Sequence, residues 1–171
     1  MIESQLPSLA QRKRTLNLIW LGMVGSVACY WVIHAILMRR PKTGNATALL
    51  PVLFIIEAIV CYVGGWWWYD RMMRSVNQQI APTVFQRLDP RERIELQNRL
   101  QTSAIICLSL FEAPPVWGLV NSMIPSPSPR LFEGLAVASA ICFILFRLSG
   151  YPAIFQAIEK LEVSLPPKVQ P

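Results

Sequence analysis

The sequence predicts an all-α membrane fold, a four-helix bundle with an extended third helix and a C-terminal amphipathic helix. Three observations carry that prediction. Hydrophobic residues make up 53% of the 171 and charged residues only 15%, at a mean hydropathy of +0.39, which is too apolar for a water-soluble domain of this length. The apolar residues gather into four runs, Leu16 to Met38, Ala46 to Trp68, Thr102 to Ile124 and Leu131 to Gly150. Each is long enough to cross about 30 Å of hydrocarbon as a helix. Finally, twelve lysines and arginines fall on one side of these runs and four on the other. That asymmetry predicts that both termini are cytoplasmic, with the lipid bilayer as the principal partner. Residues 1–171 thus read as a single integral membrane domain. The first run is too long for a signal-peptide core and ends in Arg39-Arg40 without a small-residue cleavage site, so it reads as an uncleaved anchor.

The N-terminal segment MIESQLPSLAQRKR is polar and basic, and is expected as a short surface helix or arm against anionic headgroups. In the first span, Gly22, Gly25, Ser26 and Cys29 share one face, which predicts close approach of a neighbouring helix. The connection RRPKTGN predicts a turn that makes the first two spans antiparallel neighbours. The second span ends in Trp66, Trp67, Trp68 and Tyr69, followed by Asp70, Arg71 and Arg74, an interfacial belt of membrane anchors.

The longest connection, residues 70–101, contains Asp89-Pro90-Arg91-Glu92. This has the form of a helix start: Asp at the N-cap, Pro at the first helical position, and Glu three residues after the cap. No breaker separates it from the third span, which is therefore predicted to project about three turns beyond the membrane. Within that span Pro114 and Pro115 each remove a backbone donor. The carbonyls of Leu110 and Phe111 lose their helical partners, and a kink or break beside Glu112 is expected.

PSPSPR should close the third and fourth spans into a hairpin, and Gly134, Ala136, Ala138, Ser139 and Ala140 give the fourth a small-residue face. After Gly150 and Pro152, Ile154, Phe155, Ile158 and Leu161 fall opposite Glu159, Lys160 and Glu162. This pattern predicts an amphipathic helix on the inner membrane surface, followed by a disordered tail, SLPPKVQP.

The candidate functional residues are two acids, Glu57 and Glu112, near the midpoints of the second and third spans. An acid at that depth costs about 2.5 to 3.5 kcal/mol on insertion scales, so something must offset it. No lysine or arginine lies in either apolar core. The expectation is two uncharged carboxyls, or two sharing a proton, buried against each other if their faces meet. Ser109, Pro114 and Pro115 are the expected supporting residues, through the Ser109 hydroxyl and the carbonyls the prolines release. Such a pair serves either to lock helix register or to take up and release a proton or cation during transport.

Other chemistries find little material. The four cysteines fall one per span without CxxC or Cys/His spacing, which points to no metal centre and no catalytic thiol. His34 is the only histidine, too few for a two-histidine haem within one chain, so no cofactor is expected. The net charge of +6 comes from residues flanking the spans, giving no nucleic-acid surface. Without GxSxG, HExxH or P-loop strings, no enzymatic activity and no catalytic residue is expected.

The string Glu112-Ala113-Pro114-Pro115-Val116-Trp117-Gly118-Leu119-Val120 resembles the carboxylate helix of subunit c, the rotor-ring proteolipid of rotary ATPases. That resemblance implies an ion-carrying role for Glu112. More broadly, the chain resembles uncharacterised four-helix bacterial inner-membrane proteins with an LxLxEAP-like third span, which implies no activity. The leading expectation is a small accessory or scaffold subunit of a membrane complex, or a homo-oligomer, associating through helix-packing partners. The alternative is an oligomeric proton- or cation-coupled carrier or channel using Glu57 and Glu112.

Overall fold

The computed structural model describes residues 9–39, 49–80, 89–124 and 129–163, and these are helical with no strand among them. The helices are α1 (Leu9–Leu37), α2 (Leu49–Gln79), α3 (Pro90–Met123), α4 (Pro129–Leu145) and α5 (Tyr151–Val163). A π-helical turn, Phe146–Gly150, joins α4 to α5 without a break. Four of the resulting rods are long and apolar enough to cross a membrane. Residues 1–8, the RRPKTGN connection from Arg40 on, most of PSPSPR and the tail from residue 164 lie outside the described residues.

The start of α3 follows its sequence signature. Asp89 N–H donates to the Glu92 carboxylate at 3.0 Å, and Arg93 N–H to the Asp89 carbonyl at 3.1 Å. With 34 residues, α3 extends about 50 Å, some 20 Å more than the hydrocarbon layer. The end of the bundle where α1 and α3 begin and α2 ends is called basal below.

α3 is the axis of the fold. It packs on α2, α4 and α1, and half of its most apolar stretch is buried, against 11% for α1 and 17% for α2. Among the described residues α1 and α2 do not pack extensively on each other. The expected α1–α2 hairpin is therefore corrected: α3 stands between them. A connection of about ten residues reaches some 30 Å when extended, enough to pass a neighbouring helix, so its turn composition did not fix adjacency. α3 and α4 do pack on each other as expected.

The core is an aromatic column. Phe111, fully buried, lies 5.5 Å from Trp66, 6.3 Å from Phe143 and 5.9 Å from Phe146, centroid to centroid. Phe146 continues to Tyr69 at 5.5 Å and Tyr151 at 5.6 Å. Two glycines make room for it. A Cβ on Gly65 would stand 2.6 Å from the Phe111 ring, and one on Gly150 2.7 Å from the Phe146 ring. The stripe Gly22, Gly25, Cys29 predicted for close packing is instead exposed, with nothing within 4 Å of a Cβ at either glycine. On α4 the small-residue face is used in part: Ala136 and Ser139 are buried, Gly134 and Ala140 exposed.

α5 is amphipathic as predicted, but its apolar face meets protein. Ile154, Ile158 and Leu161 are buried in the common core, whereas Glu159 and Lys160 are exposed. The basal start of α1 likewise belongs to the bundle. Arg12, expected against headgroups, is buried and donates to Asn98 Oδ1 and Gln101 Oε1, both at 3.1 Å. Tyr151 donates to the Leu16 carbonyl at 2.7 Å, and Arg147 to Asn17 Oδ1 at 2.6 Å.

Candidate functional site

Glu112 lies half-buried on the side of α3 that faces α1. Its Oε1 accepts from Tyr30 Oη at 3.1 Å and makes a short contact with Ser26 Oγ. Tyr30 and Ser26 are one helical turn apart on α1, so a single face of that helix presents both hydroxyls. Ser26 Oγ also lies 2.7 Å from the Met23 carbonyl. A serine hydroxyl carries one proton, and here two acceptors compete for it. When Ser26 donates to the Met23 carbonyl, its contact with Glu112 is completed by a proton on the carboxyl; when it donates to Glu112, the carboxylate is the acceptor. The two arrangements differ by one proton on the carboxyl, so the cluster keeps its contacts with or without it.

The prolines of α3 are satisfied from another helix. Both are buried, and the helix runs unbroken through them from Pro90 to Met123 in place of the expected break. Pro115 withholds its donor from the Phe111 carbonyl, and Ser139 of α4 replaces it, donating at 2.6 Å. With the Ser139 proton committed to that bond, the one Tyr62 hydroxyl proton is shared between the Leu135 carbonyl and the Ser139 oxygen, each 2.9 Å away. Two turns further along, α3 and α4 approach closely at Gly118, where a Cβ would stand 3.0 Å from the Phe132 Cα.

Glu57 sits elsewhere. It is exposed on α2 among exposed Leu53, Ile56, Val60 and Val63, and no hydrogen bond or ion pair reaches it among the described residues. The expectation that the two acids meet in a buried pair is therefore corrected. Helix spacing predicted their depth but not their azimuth, and α3 turns its acid toward α1 while α2 turns its own outward. Ser109, the expected hydroxyl partner of Glu112, is exposed about one turn away, and Ser26 and Tyr30 of α1 take the place foreseen for it. Of the four aromatic anchors, Trp67 and Trp68 are exposed, whereas Trp66 and Tyr69 join the aromatic column.

His34 is buried near the far end of α1. Its Nδ1 lies 2.6 Å from Ser122 Oγ, which also lies 3.1 Å from the Gly118 carbonyl. The ring stacks on Phe132 at 4.3 Å. At the basal end a groove of about 530 Å³ opens between α2 and α3, lined by Trp68, Met72, Glu95, Arg99 and Ile106 among others, and neither acid lines it.

Sequence reasoning placed Ser26 and Ser139 only among packing residues, and it missed Tyr30 and Tyr62. A tyrosine one turn after a serine in an apolar span was the available signal for the Glu112 partner. No protein-family model, curated protein or solved structure matches this chain. The likenesses to subunit c and to four-helix inner-membrane proteins therefore stand on the quoted residues alone.

Proposed function

We propose that the protein is a membrane-embedded helical scaffold of the bacterial inner membrane, with both termini cytoplasmic, that acts by association and not by turnover. Its outer helices α1 and α2 dock further spans, from another copy or from a larger complex. The observation that carries this reading is Glu57, an exposed acid midway along an apolar face with no partner among the described residues. In hydrocarbon such a group costs several kcal/mol, and a protein neighbour that supplies hydrogen bonds removes most of that cost. The scaffold reading predicts that the chain, extracted in mild detergent and weighed, runs as a defined assembly heavier than one 19.4 kDa chain. A homogeneous monomer, both in detergent and after reconstitution in lipid, overturns it.

A second reading draws on the Glu112 cluster, because an acid whose two hydroxyl neighbours accommodate it with or without its proton is suited to proton-coupled transport. It predicts proton flux across liposomes that Glu112→Gln abolishes while the helical content is retained. Equal and negligible flux from both proteins removes it.

A further inference from the structure

We propose that the face of α2 centred on Glu57 is a two-fold docking surface for a second copy of this chain, with the two Glu57 carboxyls hydrogen-bonded to each other near the axis. This rests on the scaffold reading and names its partner. Helical spacing sets Leu53, Glu57, Cys61, Gly64 and Trp68 in one line along α2. Leu53 is half exposed and Trp68 40% exposed, and a Cβ on Gly64 would meet nothing within 4 Å. The line is thus apolar, open at its glycine, and polar only at Glu57, which lets a second backbone approach to within helix-packing distance beside the acid.

The chemistry of the acid selects the occupant. Hydrocarbon favours the uncharged form of a carboxyl, and that form carries one donor together with acceptor capacity. Its complement is another uncharged carboxyl. A two-fold interface is isologous, so a residue lying near the axis meets its own copy and both acids are satisfied at once. A second copy brings no lysine or arginine to that depth, since this chain has none in the apolar core of any of its four runs, so the group it offers Glu57 is its own carboxyl.

The test is disulfide scanning of the full chain in native membranes, with Cys29 and Cys142 replaced by alanine and the buried Cys107 left in place. Mild oxidation should link homodimers through Cys61, and through Leu53→Cys and Gly64→Cys in a Cys61→Ala background. Ile55→Cys and Ile59→Cys in that same Cys61→Ala background, on the opposite side of α2, should give none. Glu57→Leu should weaken association about three- to tenfold, the loss expected for one or two interhelical hydrogen bonds, and Glu57→Gln, itself self-complementary, should preserve it. Three outcomes overturn the proposal while leaving the scaffold reading intact. They are linkage at 55 and 59 as strong as at 53, 61 and 64, homodimers that link only when Cys29 on α1 is restored and Cys61 is alanine, or adducts of a mass other than twice the chain. No adduct of any kind, together with a monomeric mass, removes both.

Discussion

Replacing Ser139 by alanine strips the only donor seen on the Phe111 carbonyl, which Pro115 has already deprived of its helical partner. Both Ser139 and Phe111 are fully buried, so no lipid headgroup or solvent stands ready to replace the bond. Interhelical hydrogen bonds in lipid average about 0.6 kcal/mol, and a buried acceptor left unpaired costs about 1 to 3. A loss near 1.5 kcal/mol is expected, equal to about 3 to 6 °C in Tm for a chain of this size. The decisive measurement is a double-mutant cycle in mixed detergent micelles, followed by circular dichroism through an SDS titration. In a Pro115→Ala background the restored N–H of residue 115 can bond the Phe111 carbonyl, so Ser139→Ala should then cost less than half as much. Equal costs in the two backgrounds would refute the claim that Ser139 substitutes for the missing amide.

The same titration reads three further outcomes. Gly65→Ala should destabilise by about 1 to 3 kcal/mol, because the new methyl meets a Phe111 ring held by Trp66, Phe143 and Phe146. Gly22→Ala and Gly25→Ala, with open space around both positions, should instead stabilise by up to about 1 kcal/mol through lower backbone entropy in the unfolded chain. Arg12→Ala should cost about 2 to 3 kcal/mol, since it leaves Asn98 and Gln101 without the charged donor they share.

The spans were legible because a bilayer demands long apolar helices whatever they pack against, and the Asp89 to Glu92 start was legible because capping is local. Azimuth was not. The exposed stripe Gly22, Gly25, Cys29 and the packed glycines Gly65, Gly118 and Gly150 carry the same residue types, and only the neighbours distinguish them. In lipid an outward face is as apolar as an inward one, so the polarity contrast that orients a helix in a soluble protein is missing. For this reason the place of Glu57 and Glu112 along their helices could be read from the sequence but not their partners. Pro115 was legible as a lesion in the backbone; its repair by a serine on α4 depends on contact between helices and leaves no local trace.

Those repairs and clasps have a common location that bears on Glu112. α1 buries little of its surface, yet it is fastened to α3 at three levels: Arg12 to Asn98 and Gln101, Ser26 and Tyr30 to Glu112, and His34 to Ser122. Apolar packing alone gives an exposed helix little reason to prefer protein over lipid, so these polar rungs set where α1 sits. Glu112→Leu removes the middle rung and leaves two hydroxyls facing a methyl-rich surface, at a cost of about 1 to 2 kcal/mol. Glu112→Gln can keep an acceptor oxygen at the Oε1 position for both Tyr30 and Ser26, so it should cost under about 0.5 kcal/mol. Tyr30→Phe should fall between them, near the 0.6 kcal/mol average. The ordering Leu above Phe above Gln is the signature of a clasp. If Gln destabilises as much as Leu, the cluster depends on the charge or the proton of the carboxyl and not on its hydrogen-bonding shape, and the middle rung is not a structural fastening.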